Sequence, residues 1–146
     1  MSQTLVMGIL NITPDSFADG GKYFSKQDAV NQGRRLFSEG ADIIDIGGES
    51  TRPGAERVSE DEELSRVIPV VDELVKDGAV ISVDTMRSQV AKEAIAAGAK
   101  YINDVSGGLQ MKKWQVLFLQ IQVFSMWLCI GEVTPNRCKK MQYMRM

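Results

Sequence analysis

The chain has 146 residues, a formal net charge of −2, 44% hydrophobic residues and 25% charged residues. That length suits one domain able to bury a core, and so small a net charge gives no reason to expect nucleic acid or an anionic membrane as partner. There is no histidine, and the two cysteines, Cys129 and Cys138, form no C-x-x-C pair, which argues against a thiol-rich metal site, a disulfide scaffold and histidine proton transfer.

The N-terminal stretch MSQTLVMGILNITPDSF has no charged region ahead of its apolar residues and soon turns polar. Neither a signal peptide nor a membrane span is expected, and a cytoplasmic protein with reduced thiols is. Leu5 to Ile12 is a short apolar run that predicts a first strand, followed by Thr13, Pro14, Asp15 and a glycine-rich turn. A helix fits from about Asp28 to Glu39, because Ala29, Val30, Gly33, Leu36 and Phe37 share one face at helical spacing. Gly40 stands where a helix ends. Ile43, Ile44, Asp45 and Ile46 predict a second strand, which runs into the polar loop GGESTRPG. Ser59 opens a capping box, and Leu64, Val67, Ile68, Val71 and Leu74 form the apolar stripe of a second helix. Pro69 lies inside that helix, where a kink is expected, and Gly78 ends it. Val80 to Val83 predict a third strand stopping at Asp84. A third helix fits Arg87 to Ala97, with Val90, Ala94 and Ile95 on its apolar face and Gly98 behind it. Tyr101 and Ile102 open a fourth strand that ends in Asn103 and Asp104.

This is an α/β pattern of three strand–helix units and a fourth strand. The strands are apolar without alternation, as strands covered on both faces are. An open doubly wound sheet and a barrel of eight βα units both fit, and four strands are too few to close a barrel.

After Gln110 the character changes. Residues 111–146 hold five of the eight methionines, both tryptophans, both cysteines, and one acid, Glu132, against six Lys and Arg. The glycine-punctuated rhythm stops. The run from Val116 to Ile130 is interrupted by Gln120, Gln122 and Ser125 and is short for a membrane span. A buried helix or strand pair and an exposed, aggregation-prone segment are both open readings.

In either architecture ligands bind at the carboxyl ends of the strands. All four ends are polar: Asn11, Thr13, Asp15 and Ser16; then Glu49, Ser50, Thr51 and Arg52; then Asp84 and Thr85; then Asn103 and Asp104. Taken singly, each reads as a cap or turn former. Four such clusters in sequence read better as one mouth. A carboxylate at Asp84 can accept paired N–H donors from a flat heterocycle or stabilise developing positive charge. Asn103 offers a donor and an acceptor to a ring edge. Arg52, between Gly-Gly and Pro-Gly, suits capture of phosphate or carboxylate. Asn11 supplies one hard oxygen for Mg²⁺, a weak signal without a bound phosphate. The glycines form neither G-x-G-x-x-G nor a Walker loop, so a nucleotide reading is unsupported.

The motifs MGILNITPDSFADGG, DIIDIGGESTRPGA, ISVDT and INDVSGG, in this order and spacing, resemble dihydropteroate synthase. The resemblance covers roughly residues 5 to 110, about half a domain of that family. It implies the first four strands and three helices of a TIM (βα)8 barrel, and condensation of dihydropterin pyrophosphate with p-aminobenzoate, with Mg²⁺ as cofactor. It implies pterin-binding roles for Asp84 and Asn103, a metal-linked role for Asn11, and substrate contacts by Thr51 and Arg52. Phe17 and Pro53 match positions lining the p-aminobenzoate pocket, where sulfonamides compete. The implied mechanism is loss of pyrophosphate to leave a cation at the pterin methylene, stabilised by Asp84, with Arg52 on the catalytic loop. The family's homodimer uses later helices that have no counterpart here. Neither do its later aspartate, its lysine and its final arginine–histidine pair.

Two segments are therefore expected: residues 1–110, the first half of a pterin-binding barrel domain, and residues 111–146, a tail foreign to the family. Back-translation suggests a cause. With suitable codon choices, Met111 to Gln115 read one base earlier can give Asp-Glu-Lys-Met-Ala, and Cys129 to Asn136 shifted likewise can give Met-His-Trp-Arg-Gly-His-Ser-Lys. Both resemble the family's continuation, so loss of one base near codon 111 is expected. Four functional readings stand: the synthase as family identity, with this chain inactive; a pterin-binding module without turnover; a product without function; and a corrinoid-linked methyltransferase on a related barrel. The Asn11 loop and the STRPG loop favour the synthase over the methyltransferase.

Overall fold

A computed structural model describes residues 4–13, 26–50, 55, 57–104, 125–129 and 141–145, the last two segments by their backbone. Strand β1 (Met7–Asn11) leads to helix α1 (Lys26–Ser38), β2 (Ile43–Gly47), α2 (Glu60–Lys76), β3 (Ile81–Asp84), α3 (Ser88–Ala96) and β4 (Tyr101–Asp104). Two further strands follow, β5 (Ser125–Cys129) and β6 (Met141–Arg145).

Each of the three helices ends the same way. Gly40, Gly78 and Gly98 have φ of 99°, 89° and 107°, a left-handed conformation that only glycine adopts without strain. The amide after each reaches back to close the helix: Ala41 donates to Leu36, Ala79 to Leu74 and Ala99 to Ala94. Those alanines are buried, so each ending also turns the chain inward toward its next strand. Helix α2 starts where Ser59 accepts from the Glu62 amide, and it continues through Pro69 as one helix.

Strands β1 to β5 pair in parallel, in chain order, and β6 joins β5 antiparallel. A doubly wound sheet reverses its strand order; this one does not, which selects the barrel-type winding. Ile44, Ile46, Ile81, Val83 and Ile102 form one face of the sheet and pack with Val67, Val71, Leu74, Val90 and Ala94 of the helices. Alternation then turns Asp45, Gly47, Ser82, Asp84 and Asn103 to the opposite face.

The sheet extends beyond the four strands read from the sequence. In β5 the five-residue segment Ser125–Cys129, apolar after its first residue, adds to β4 in parallel, a segment too short for periodicity to assign to helix or strand. Strand β6 breaks the parallel pattern by joining β5 antiparallel.

Candidate functional site

Strand register builds the site. Asn11 pairs with Gly47, Gly47 with Asp84 and Asp84 with Asn103, so three residues predicted from the sequence stand in one row across four strands at their carboxyl ends. Gly47 keeps the row open. A Cβ there would lie 3.5 Å from the Asn11 Oδ1 and 3.9 Å from the Asp84 Oδ2, so both side chains flank the space that glycine leaves. The Asn103 Nδ2 donates to the Asp45 Oδ2 at 2.9 Å. A carboxylate only accepts, so this bond sets the amide: its nitrogen faces Asp45 and its oxygen is left for another partner.

The row is electrostatically strained. Burial pushes the Asp84 carboxyl up to about 7, and the carboxylates of Asp45, Glu63, Asp104 and Glu49 add to the shift. A second Asp45 oxygen, Oδ1, is buried without a hydrogen-bond partner among the described residues, as is the Ser82 hydroxyl. Near neutral pH the site can therefore hold or release a proton at Asp84, and it favours a ligand bringing N–H donors or positive charge.

Beside the row sits a buried ionic cluster. The Arg87 guanidinium donates from one nitrogen to both Glu49 and Glu63, and from the other to the Val58 carbonyl at 2.5 Å. The Arg57 Nε lies 2.6 Å from the Glu49 Oε1, a charge contact without hydrogen-bond alignment. Arg66 donates to the Gly48 carbonyl at 3.2 Å.

Phe17, Thr51, Arg52 and Pro53 lie outside the described residues. Sequence reasoning missed Asp45 as a site residue. Its signal was present, since an acid inside the apolar run IIDI demands a partner once buried. It also missed Glu63 and Arg87, which look like ordinary helix-start residues until the fold brings them together.

Residues 7–143 match the family model for pterin-binding enzymes. The chain belongs to that family. It is 62% identical over 106 residues to the dihydropteroate synthase of Bacillus subtilis, a match covering 72% of this chain and 37% of that protein. It is 53% identical over 103 residues to the dihydropteroate synthase of Mycobacterium leprae, covering 70% of this chain and 36% of that one. Among solved structures it resembles the Xanthomonas albilineans dihydropteroate synthase with 4-aminobenzoic acid, at a TM-score of 0.76 and 47% identity, covering 91% of this chain and 48% of that one. It also resembles the Burkholderia cenocepacia enzyme complexed with 7,8-dihydropteroate, at a TM-score of 0.75 and 40% identity, covering 92% and 44%. The chain thus spans less than half the length of these pterin-binding relatives. Among the described residues, no helix is long and apolar enough to cross a membrane, and no group of three His, Cys, Asp or Glu could hold a metal ion.

Proposed function

We propose that this chain carries the pterin-recognising half of a dihydropteroate synthase site. The observation that carries the reading is the row Asn11–Gly47–Asp84–Asn103, with its open position at Gly47 and a carboxyl poised near neutrality. A pterin edge offers N–H donors to Asp84 and a donor or acceptor to Asn103, whose amide Asp45 orients. Asp84 then also faces the charge left at the pterin methylene when pyrophosphate departs. Thr51 and Arg52 would hold the phosphate side, and Phe17 and Pro53 the p-aminobenzoate ring. A Mg²⁺ ion would neutralise charge on the leaving pyrophosphate. The Asn11 oxygen beside the open row suits one of its ligands, the rest coming from phosphate oxygens and water. We place the protein in the cytoplasm.

Binding should follow the ionised form of Asp84. Affinity for a pterin is expected to rise about tenfold from pH 6 to pH 8, because pairing with N–H donors favours the carboxylate. Titration calorimetry at both pH values checks this, with Asp84→Asn abolishing the dependence. A pH-independent affinity in the unsubstituted chain would sink the reading. The 146-residue chain assayed alone with dihydropterin pyrophosphate and p-aminobenzoate is expected to yield no dihydropteroate. Groups the family supplies from its later strands, a histidine among them, have no counterpart in it.

A second reading concerns residues 111–146: loss of one base has put them out of frame. In its favour, the identity to the Bacillus subtilis relative covers 106 residues, 72% of the chain, and two separate windows of the tail can be back-translated to family-like sequence in the same shifted frame. The gene's nucleotide sequence across codons 108 to 116 decides it. An encoded frame that needs no restored base to continue the family sequence overturns the idea.

A further inference from the structure

We infer that Arg87 is a positioning residue, holding together the two ends of the connection between β2 and α2. This rests on the proposed pterin site, because Thr51 and Arg52 fall within that connection in the sequence. Arg87 itself lies three residues beyond Asp84, at the start of α3, and touches neither end of the row.

The contacts span the connection from both sides. Glu49 stands just after β2; Val58 stands just before α2; Glu63 lies in the first turn of α2. One guanidinium bonds all three. Arg57 adds a charge contact from the far end back to Glu49, and Arg66 of α2 holds the Gly48 carbonyl at the near end. The side chains of Glu49 and Glu63 are 6% and 1% exposed, and that of Arg87 is 20% exposed. Two carboxylates so buried need a cation that does not lose its proton. Burial opposes the Arg87 charge, but the hydrogen bonds and charges of Glu63 and Glu49 outweigh it and raise its pKa.

The geometry asks for arginine. A planar fork can serve two carboxylates and a carbonyl together, whereas a lysine ammonium on a shorter reach cannot match that spread. The same cluster borders the row, since Glu63 and Glu49 both help raise the Asp84 carboxyl. Arg87 therefore links the end of β3, where Asp84 sits, to the ends of the neighbouring connection.

The test uses the full chain and reads amide hydrogen exchange by mass spectrometry over residues 48–59, with α1 as internal reference. Arg87→Met is expected to speed exchange over residues 48–59 about tenfold while α1 keeps its protection. Arg87→Lys should fall between that variant and the unsubstituted chain, a graded rescue that loss of packing alone would not give. Glu49→Gln frees one end only, so faster exchange should centre on residues 48–50. It decides the matter if Arg87→Met fails to fold. Unchanged exchange in these variants, or an increase shared equally by α1, overturns the proposal. So does an unsubstituted chain without protection in α1, because the contacts require a folded strand end. Titration of the same samples with dihydropterin pyrophosphate keeps the two readings apart. Absent binding by a chain with normal exchange rejects the pterin site and leaves the role of Arg87 standing.

Discussion

At the scale of single residues, Asp84 couples the site to stability. Its folded carboxyl titrates at about 7, against 3.8 for the ordinary group. A raised acid binds its proton more tightly in the folded state, so its cost to stability is absent below about pH 4 and grows as pH rises toward 7. Above that it is fully present, worth up to about 4 kcal/mol. Asp84→Asn mimics the protonated form. It should raise the urea midpoint at pH 8 and leave it unchanged at pH 4. A variant that stabilises equally at both pH values would show that charge is not the cause. Asp84, Asn103 and Asn11 were legible in the sequence because each ends an apolar strand with a polar side chain. What was not legible is the register that aligns them and the hydrogen bond that ties Asn103 to Asp45. Those depend on which strands neighbour one another, and no local pattern encodes that.

At the scale of elements, helix starts and stops were readable, since capping serine and terminal glycines act through local backbone geometry. Packing was not. Gly33 lies inside α1, where helix propensity alone favours alanine by about 1 kcal/mol. The fold reverses the sign. A Cβ at Gly33 would come within 2.4 Å of one Leu74 methyl carbon and 3.0 Å of the other, and Leu74 is 1% exposed in the core of α2. Such overpacking costs about 1–3 kcal/mol. Gly33→Ala is therefore expected to lower stability in urea denaturation, and a gain would mean that α1 and α2 can separate without loss. The sequence put Gly33 on the correct face but gave no measure of how closely α2 approaches it. Helix α2 carries Pro69 inside an unbroken run from Glu60 to Lys76, so the proline does not end it. The tail was open between a buried helix or strand pair and an exposed segment, and a strand pair is what forms, with β5 and β6 antiparallel. A short segment such as Ser125–Cys129 becomes a strand through pairing with β4, a partner more than twenty residues away.

At the scale of the whole molecule, the chain-ordered sheet leaves β1 as an edge among the described residues. In a barrel of this winding the first strand gains a neighbour only when the sheet closes on itself. Here Leu5, Val6 and Ile9 are each 56% exposed, an apolar group at and just ahead of that edge. An edge strand with free backbone groups and apolar side chains is a template for another chain. Ile9 stands two residues before Asn11 on the same strand, so it borders the polar row and packs against none of the helices that cover the opposite face. The 146-residue chain is therefore expected to self-associate, with a weight-average sedimentation coefficient that rises with concentration. Ile9→Lys places a charge on the edge at a position already half open to water, so it should suppress association without lowering the denaturation midpoint by more than about 1 kcal/mol. Lys at Ile44, which is 1% exposed and in the core, would instead unfold the chain and serves as the contrast. A sedimentation coefficient independent of concentration in the unsubstituted chain, or association undiminished by Ile9→Lys, would show that the β1 edge is not the surface through which copies meet.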